Sequence, residues 1–296
     1  MALRDIFIIM LINLVWGLNF VALKFSLVDF DPMFANAVRF MMVGVFFLPW
    51  LKIIKGQMKL LLLTSLVMGV LHFGALMIAI QIADDVSPIA IAAQLGVPFA
   101  TLMAVIVLKE SVGWKRAAAI ACSFIGVMVM GFDPIVFDYV LGLVVMAIAA
   151  FFYALATILL RQLKAVSAMT TQAWIAIAGL IGSAALSMVF ETGQMASVDS
   201  ASNSAWLALI YSALLSSVVG HGCYNYLLTK YEVAVVSPFT LLTPVVGVVG
   251  SILILDETLS TRLIIGASLT LFGVFIIAIR NKKRRTPVSA SAVDGA

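Results

Sequence analysis

Charged residues and cysteines are both scarce in this sequence. Only 11% of its 296 residues are charged and 64% are hydrophobic, whereas a soluble domain is about half apolar and about a quarter charged. A surface so poor in charge cannot face water everywhere, so lipid must cover much of the chain. The two cysteines, Cys122 and Cys223, form no CxxC pair, so a disulfide framework and a thiolate metal site have little support.

Several classes of function lack their sequence signals. No GxxxxGK[ST] nucleotide loop occurs, which disfavours an ATP-driven pump. The two histidines, His72 and His221, are far apart and have no acidic neighbours in mid-span, so a membrane enzyme is a weaker alternative. A channel stays open as an alternative, although no filter-like segment is present. We expect no cofactor, no metal and no nucleic-acid partner.

The apolar residues form ten runs of about 20 residues, the length that a helix needs to cross roughly 30 Å of hydrocarbon. The runs are continuously apolar, without the alternation of a lipid-facing β-strand. They predict an all-α membrane protein with ten transmembrane helices. The predicted spans are Ile6–Phe25, Met33–Leu51, Leu60–Ile82, Val86–Leu108, Trp114–Phe132, Tyr139–Leu160, Met169–Phe190, Ala205–Leu228, Val233–Leu255 and Arg262–Ile279.

The basic residues are divided unevenly between the two ends of these spans. Fifteen of the 18 lie on the side that holds the N-terminus, including the cluster Arg280–Arg285. The opposite side has only Lys24 and Arg262, and Arg39 lies within a span. By the positive-inside rule, we expect both termini to be cytoplasmic. The tail at 281–296 is basic and then small and polar, so we expect it to be disordered.

The two halves of the chain are similar at an offset of 147 residues. Residues 107–110 then align with 254–257, and Gly126 aligns with Gly273. Because each half has five helices, an odd number, the halves must have opposite orientations in the membrane. We therefore predict two inverted five-helix repeats, at residues 5–132 and 138–280. Transporters of this architecture bind substrate between the repeats, near the bilayer midplane.

Polar residues in mid-span identify candidate site residues, because such groups usually face other helices or a water-filled cavity. His72 and His221 occupy equivalent spans, and Ser217, Tyr224 and Asn225 share a helix face with His221. We interpret the two histidines, Tyr224 and Asn225 as substrate-binding. Structural hydrogen bonding between helices is the alternative, and proton coupling is a third, since a histidine titrates near neutral pH.

Aromatic residues and prolines give two further indications of a site. Trp16 and Asn19 share one face of the first span, and Tyr153 takes the place of Trp16 in the second half. We expect both aromatic rings to line a cavity, although tryptophan also anchors helices at the membrane interface. Pro98 and Pro244 interrupt the fourth and ninth spans, which predicts a kink in each. The fourth span also offers Gln94.

Three charged residues are interpreted as structural or gating residues. Arg39 lies about eight residues inside the second span, where a charge is costly, so we expect an ion pair or a carbonyl contact. Glu110 and Glu257 close the fourth and ninth spans, and we expect them to hold loops to neighbouring basic residues. Small residues seven apart in the fifth and tenth spans predict packing seams, within the bundle or between protomers: Ala119, Gly126, Gly266 and Gly273.

These motifs resemble the EamA family of the drug/metabolite transporter superfamily over roughly residues 5–280. The resemblance rests on Trp16–Phe20, on Arg39-Phe40, on the Leu-x-Glu that closes the fourth and ninth spans, and on Ser237–Glu257. It implies a secondary active transporter for a small-molecule substrate in the lipid bilayer of the bacterial inner membrane, working by alternating access. Within the family, Trp16–Val21 and Gly220–Glu257 are most similar to exporters of O-acetylserine and cysteine, which implies export of amino acids or related metabolites. Drugs, purines and sugars are alternative substrates, while proton or counter-substrate coupling and the oligomeric state stay open.

Overall fold

The fold is a bundle of helices, described by a computed structural model over residues 2–109, 113–137, 140–164, 166–231 and 236–282. Within these ranges all regular structure is helical. Nine helices there are long and apolar enough to cross a membrane, and a shorter apolar helix is the tenth. In chain order these are α1 Leu3–Ser26, α2 Pro32–Trp50, α3 Met58–Ile82, α4 Val86–Val107, α5 Trp114–Gly131, α6 Val140–Leu160, α7 Ala168–Phe190, α8 Asn203–Leu227, α9 Phe239–Leu255 and α10 Thr261–Ile279.

The ten predicted spans correspond to these ten helices, and the differences lie at their ends. Helix α1 begins at Leu3, and α2 continues into a 3₁₀ turn at Leu48–Trp50. The predicted start of the ninth span, Val233, lies outside the described residues. Helix starts follow ordinary capping chemistry. The side chain of Ser167 accepts a hydrogen bond at the start of α7, and Pro32 occupies the first turn of α2.

Helices α5 and α10 pack along a seam of small residues, and their contacts are reciprocal. A methyl group on Gly126 would lie 2.5 Å from the carbonyl oxygen of Gly266, and one on Gly273 would lie 2.5 Å from that of Ala119. Gly273 lies 147 positions after Gly126, and Gly266 lies 147 positions after Ala119, so each contact is the repeat equivalent of the other. Such reciprocity is the mark of a two-fold axis. The predicted seam therefore lies within the bundle, where it brings the two halves together.

Helices α2 and α7 meet across the same axis. Asn36 Nδ2 donates to Ser183 Oγ at 2.8 Å, and these residues are 147 positions apart. The ends of α4 and α9 also match, since Lys109 and Asp256 both adopt the left-handed conformation, with φ of 53° and 56°. The chain is thus an all-α membrane protein with ten transmembrane helices in two inverted five-helix repeats, as predicted.

Besides the 3₁₀ turn that ends α2, four segments in the described part of the spans depart from α-helical geometry. Helix α3 contains a π-helical segment at Val67–His72, and α8 contains one at Tyr211–Gly220. A 3₁₀ segment at Ala93–Leu95 divides α4, and another at Ser237–Leu241 leads into α9. The four affected spans form two repeat-equivalent pairs. These are the same four spans in which the sequence placed the histidines and the prolines.

Candidate transport site

One aromatic cluster joins α1 to α8 around Trp16. Its ring lies 5.1 Å from the ring of His221 and 5.4 Å from that of Tyr224, between centroids. Trp16 Nε1 donates to the backbone carbonyl of Ser216 at 3.1 Å, which fixes the orientation of the indole. Gly220 permits this approach, because a methyl group there would lie 2.4 Å from the indole nitrogen. Three of the predicted site residues therefore form one contact group.

A second cluster joins α3 to α6 in the other half of the site. The ring of His72 lies 5.2 Å from that of Tyr153 and 4.7 Å from that of Phe73. His72 Nδ1 donates to the carbonyl of Ala149 at 2.9 Å. Tyr153 packs on Gly96 of α4, where a methyl group would lie 2.9 Å from the ring. Each cluster thus has a histidine from one helix packed beside a large aromatic ring from a neighbouring helix.

The histidines lie at corresponding ends of the two π-helical segments. His72 is the last residue of Val67–His72, and His221 directly follows Tyr211–Gly220. A π-helical turn redirects side chains relative to the α-helix around it, and such turns occur frequently at functional sites. In α8 the hydroxyl of Ser217 donates to the carbonyl of Ser212, five residues earlier, at 3.0 Å. No residue pattern in the sequence predicted either segment.

Arg39 lies between the two clusters. Its Nη2 donates to Ser217 Oγ at 2.7 Å, and its guanidinium lies over the rings of Phe73 and Phe40, at 4.3 and 5.0 Å from their centroids. The predicted ion pair or carbonyl contact is wrong for the part of the chain that is described, since its contacts there are a hydroxyl group and two aromatic faces. A serine one helical turn before His221 thus takes the role expected of an acid.

A cavity of about 230 Å³ lies beside the second cluster and is lined by α4, α5, α6, α9 and α10. Gln94 and Tyr153 line it at mid-span, and Thr101 lies one to two turns further along α4. Arg116 and the exposed Arg161 line its other end, at the side of the membrane that holds the N-terminus. The cavity therefore runs from the middle of the bundle to the more basic side.

Glu257 joins the two repeats at the end of the bundle opposite to Arg116 and Arg161. Its carboxylate accepts hydrogen bonds from the backbone N–H of Val86 at 2.5 Å, from that of Ser87 at 3.0 Å and from the Ser87 hydroxyl at 2.5 Å. Negative charge at a helix N-terminus is stabilising, because the first N–H groups have no partner within the helix. Glu257 therefore holds the start of α4, and within the described ranges its hydrogen bonds go to backbone N–H groups and a hydroxyl group, not to one of the neighbouring basic residues that we expected it to hold. Glu110 lies outside the described residues.

Two more contacts reinforce that side. The carboxylate of Glu191 accepts from the backbone N–H of Met33 and Phe34 at 2.7 and 2.9 Å, at the start of α2. Lys24 Nζ donates to the carbonyl oxygens of Ile80 and Ala83 at the end of α3. Each charge complements the helix end that it contacts. The Glu191 contact strengthens the pairing of α7 with α2, and the Lys24 contact joins α1 to α3, so both tighten this end of the bundle.

The remaining predicted residues lie near the site without joining its aromatic contacts. Asn19 is buried in α1, and its side-chain oxygen has no hydrogen-bond partner within the described ranges. Asn225 is partly buried in α8. Pro98 follows the 3₁₀ segment of α4, and the buried Pro244 follows that of α9. Sequence patterns placed Ser217 on the polar face of α8 but did not pair it with Arg39, and they missed Phe73, which does not differ from an ordinary packing residue until Arg39 is placed beside it.

Comparisons with known proteins agree with this architecture. The model of the EamA-like transporter family matches twice, at residues 3–132 and 140–279. The chain is 29% identical over 287 residues to the "Probable amino-acid metabolite efflux pump" of Escherichia coli (strain K12), covering 93% of this chain and 95% of that protein. It is 28% identical over 300 residues to the protein of the same name from Salmonella typhimurium, covering 97% of this chain and 98% of that protein. A solved crystal structure with 16% identity matches with a TM-score of 0.62 and covers 97% of this chain and 100% of that one, which supports the fold. Both halves match the family model, so this chain is a membrane transporter, not an enzyme, and belongs to the EamA-like transporter family.

Proposed function

We propose that this protein is a secondary active exporter of amino acids or related small metabolites across the bacterial inner membrane. The observation that carries the proposal is the pairing of two histidine–aromatic clusters, one around Trp16 and one around Tyr153, the second of which adjoins a cavity that runs to the basic side. A concave, mid-span site with a few polar groups suits a small molecule that has both apolar and polar parts.

The direction of transport is inferred from the asymmetry of the bundle. The cavity runs towards Arg116 and Arg161, which lie on the side that we propose to be cytoplasmic, together with both termini. The opposite side is held by Glu257, Glu191 and Lys24. An exporter loads its substrate from the cytoplasm, and this conformer would be its loading state. Alternating access then requires these opposite-side contacts to open while the cavity closes.

The substrate class is supported by similarity to named proteins. Two relatives carry the name of amino-acid metabolite efflux pumps. The segments Trp16–Val21 and Gly220–Glu257 also resemble exporters of O-acetylserine and cysteine. We propose that substrate is contacted by the polar and aromatic side chains predicted from the sequence. These are Trp16, Asn19, His72, Gln94, Tyr153, His221, Tyr224 and Asn225. Either histidine would serve proton coupling, and exchange for a counter-substrate is the alternative.

Transport by purified protein in liposomes tests the proposal. Liposomes loaded with one amino acid should take up the same labelled amino acid against an unlabelled internal pool, saturably and without ATP. Empty liposomes and the His221→Ala variant are the controls. A requirement for internal ATP would contradict secondary transport, and an unsaturable flux without exchange would favour a channel. Saturable exchange of only drugs, purines or sugars would replace the substrate class and keep the transporter.

A further inference from the structure

Among the described residues, Arg39 is a buried cation without a buried anion beside it. The residue is 2% exposed in the middle of the bundle. Its Nη2 has Ser217 as a partner, but Nε and Nη1 are buried without a hydrogen-bond partner in the described part of the chain. A buried charge is costly unless it is paired, and charges within transmembrane segments usually mark the path of a substrate or an ion. The free donors of Arg39 are therefore a feature that the packing of the bundle does not explain.

The surroundings of Arg39 connect it to both non-α segments of the site. Phe73, whose ring faces the guanidinium, directly follows the π-helical segment Val67–His72, and Ser217 lies within the other, Tyr211–Gly220. One turn earlier on α2, Asn36 Nδ2 donates to the carbonyl of Gly69 at 3.0 Å. This face of α2 thus lies between the two segments whose helical geometry is least regular.

The chemistry of the free donors indicates what would bind there. A guanidinium presents a planar set of N–H groups that matches a carboxylate, and the pair is a strong, charge-assisted one. The flanking rings of Phe40 and Phe73 leave the edge of the guanidinium as its polar surface. We propose that Arg39 binds the carboxylate group of the transported molecule, so that the substrates are carboxylate-bearing small metabolites. This inference rests on the proposed transport function and narrows its substrate class.

A thin layer of side chains separates Arg39 from the cavity in this conformer. His72 contacts both Phe73, on the Arg39 side, and Tyr153, which lines the cavity. Movement of His72 and Tyr153 would open the cavity to the guanidinium. The π-helical segment Val67–His72 ends in this layer, and its return to α-helical geometry would rotate the side chains around it. The carboxylate would then reach Arg39 while the rest of the substrate stays between the aromatic clusters.

Matched acids and amides test this assignment on purified protein in detergent. The probes are the free amino acids, each beside its carboxamide, measured by thermal stabilisation and by competition with exchange in liposomes. The wild type should bind the acids about tenfold to a hundredfold more tightly than the amides, because a charged hydrogen-bonding partner is lost. Arg39→Gln should abolish this preference, and Arg39→Lys should keep part of it. Ser217→Ala is the matched control, since it removes one hydrogen bond but keeps the charge, and it should retain the preference.

Three results would overturn the assignment. Equal binding of acids and amides by the wild type would do so, and this comparison stands even where Arg39→Gln does not fold. An Arg39→Gln variant that keeps the preference would also do so. Exchange of sugars, purines or cationic drugs, with no effect of any carboxylate, would refute the role of Arg39 while transport itself is retained. If no compound of any class is exchanged, the proposed transport function fails, and this inference fails with it.

Discussion

Ser123 and Thr270 exchange hydrogen bonds across the seam between α5 and α10. Ser123 Oγ donates to the carbonyl of Thr270 at 3.4 Å, and Thr270 Oγ1 donates to the carbonyl of Ser123 at 3.3 Å. Each hydroxyl also bonds to the carbonyl four residues earlier in its own helix, Ala119 at 3.1 Å and Gly266 at 2.8 Å. Both pairs are 147 residues apart. The offset found in the sequence is therefore the offset that the two-fold axis imposes on the contacts.

A first prediction concerns the packing of Trp16. We expect Gly220→Ala to reduce transport strongly and to destabilise the protein by about 1–3 kcal/mol, because the added methyl group meets the indole. That methyl group would lie 2.4 Å from Trp16 Nε1. Gly222→Ala is the control, since nothing lies within 4 Å of its added methyl group. Exchange activity and detergent melting temperature measure both effects. Equal activities of the two variants would contradict the role of Trp16.

A second prediction separates function from folding at the histidines. His221→Ala should lower exchange by about tenfold or more, as expected for loss of a direct polar contact, while the melting temperature changes little. His72→Ala should act in the same direction and lose some stability, because His72 Nδ1 also donates to the carbonyl of Ala149. Exchange rates per folded protein are the measurement. Activity that falls only in proportion to folded protein would make both histidines structural.

A third prediction concerns the seam between α5 and α10. Gly126→Ala should destabilise the protein by roughly 1–3 kcal/mol or more, because backbone atoms cannot yield easily to an added methyl group. The methyl group would lie 2.5 Å from the Gly266 carbonyl oxygen. Gly44→Ala is the matched control within a helix, where the nearest atom would be at 3.8 Å, an ordinary contact. The measurement is the melting temperature of each variant in detergent. Equal melting temperatures of the two variants would refute this close packing.

A fourth prediction concerns orientation. Lys115 and Arg262 begin the equivalent helices α5 and α10, and both are exposed. Inverted repeats place them on opposite sides of the membrane, with Lys115 in the cytoplasm. Single cysteines at these positions, in a background without Cys122 and Cys223, should react with an impermeant maleimide from opposite sides. Labelling of both from one side of intact cells would rule out the inversion.

A fifth prediction follows from the loop between α1 and α2. The hydroxyl and backbone N–H of Ser202 donate to the carboxylate of Asp29 and hold its pKa below the ordinary value of 3.8. A depressed folded-state pKa stabilises above the unfolded pKa, and this stabilisation is lost as the pH falls through the folded value. Below about pH 4, the melting temperature of Asp29→Asn should therefore fall less steeply with decreasing pH than that of the wild type. Ser200→Ala, whose hydroxyl bonds within its own helix, should keep the wild-type profile.

The fold was predictable from the sequence because lipid imposes simple rules. Long apolar runs must be helices, since backbone polar groups have no water to bind in hydrocarbon. The repeat offset also followed from residue identity alone, through pairs such as Gly126 and Gly273. The π-helical segments Val67–His72 and Tyr211–Gly220 could not be predicted in this way, because π-helical geometry depends on tertiary contacts and uses the same residues as an α-helix.

Sequence patterns indicated candidate site residues but not the contacts among them. Trp16 and His221 were chosen for being polar or aromatic at depth, and their contact depends on Gly220, which the sequence marks only as small. The partner of Arg39 was expected to be a carboxylate or a carbonyl, yet it is Ser217. A hydroxyl group in a span is common, so only the fold reveals which one faces the guanidinium.

The reciprocal contacts of α5 and α10 are those of a symmetric homodimer joined into one chain. Two separate copies of an ancestral five-helix unit, inserted in opposite directions, would make the same pairs of contacts that Ser123 and Thr270 make here. Fusion raises the effective concentration of one half for the other and fixes the ratio of the two orientations at one to one. It also freed each half to diverge. The two copies of a residue no longer had to change together, so Arg39 in one half could acquire a partner with no counterpart in the other.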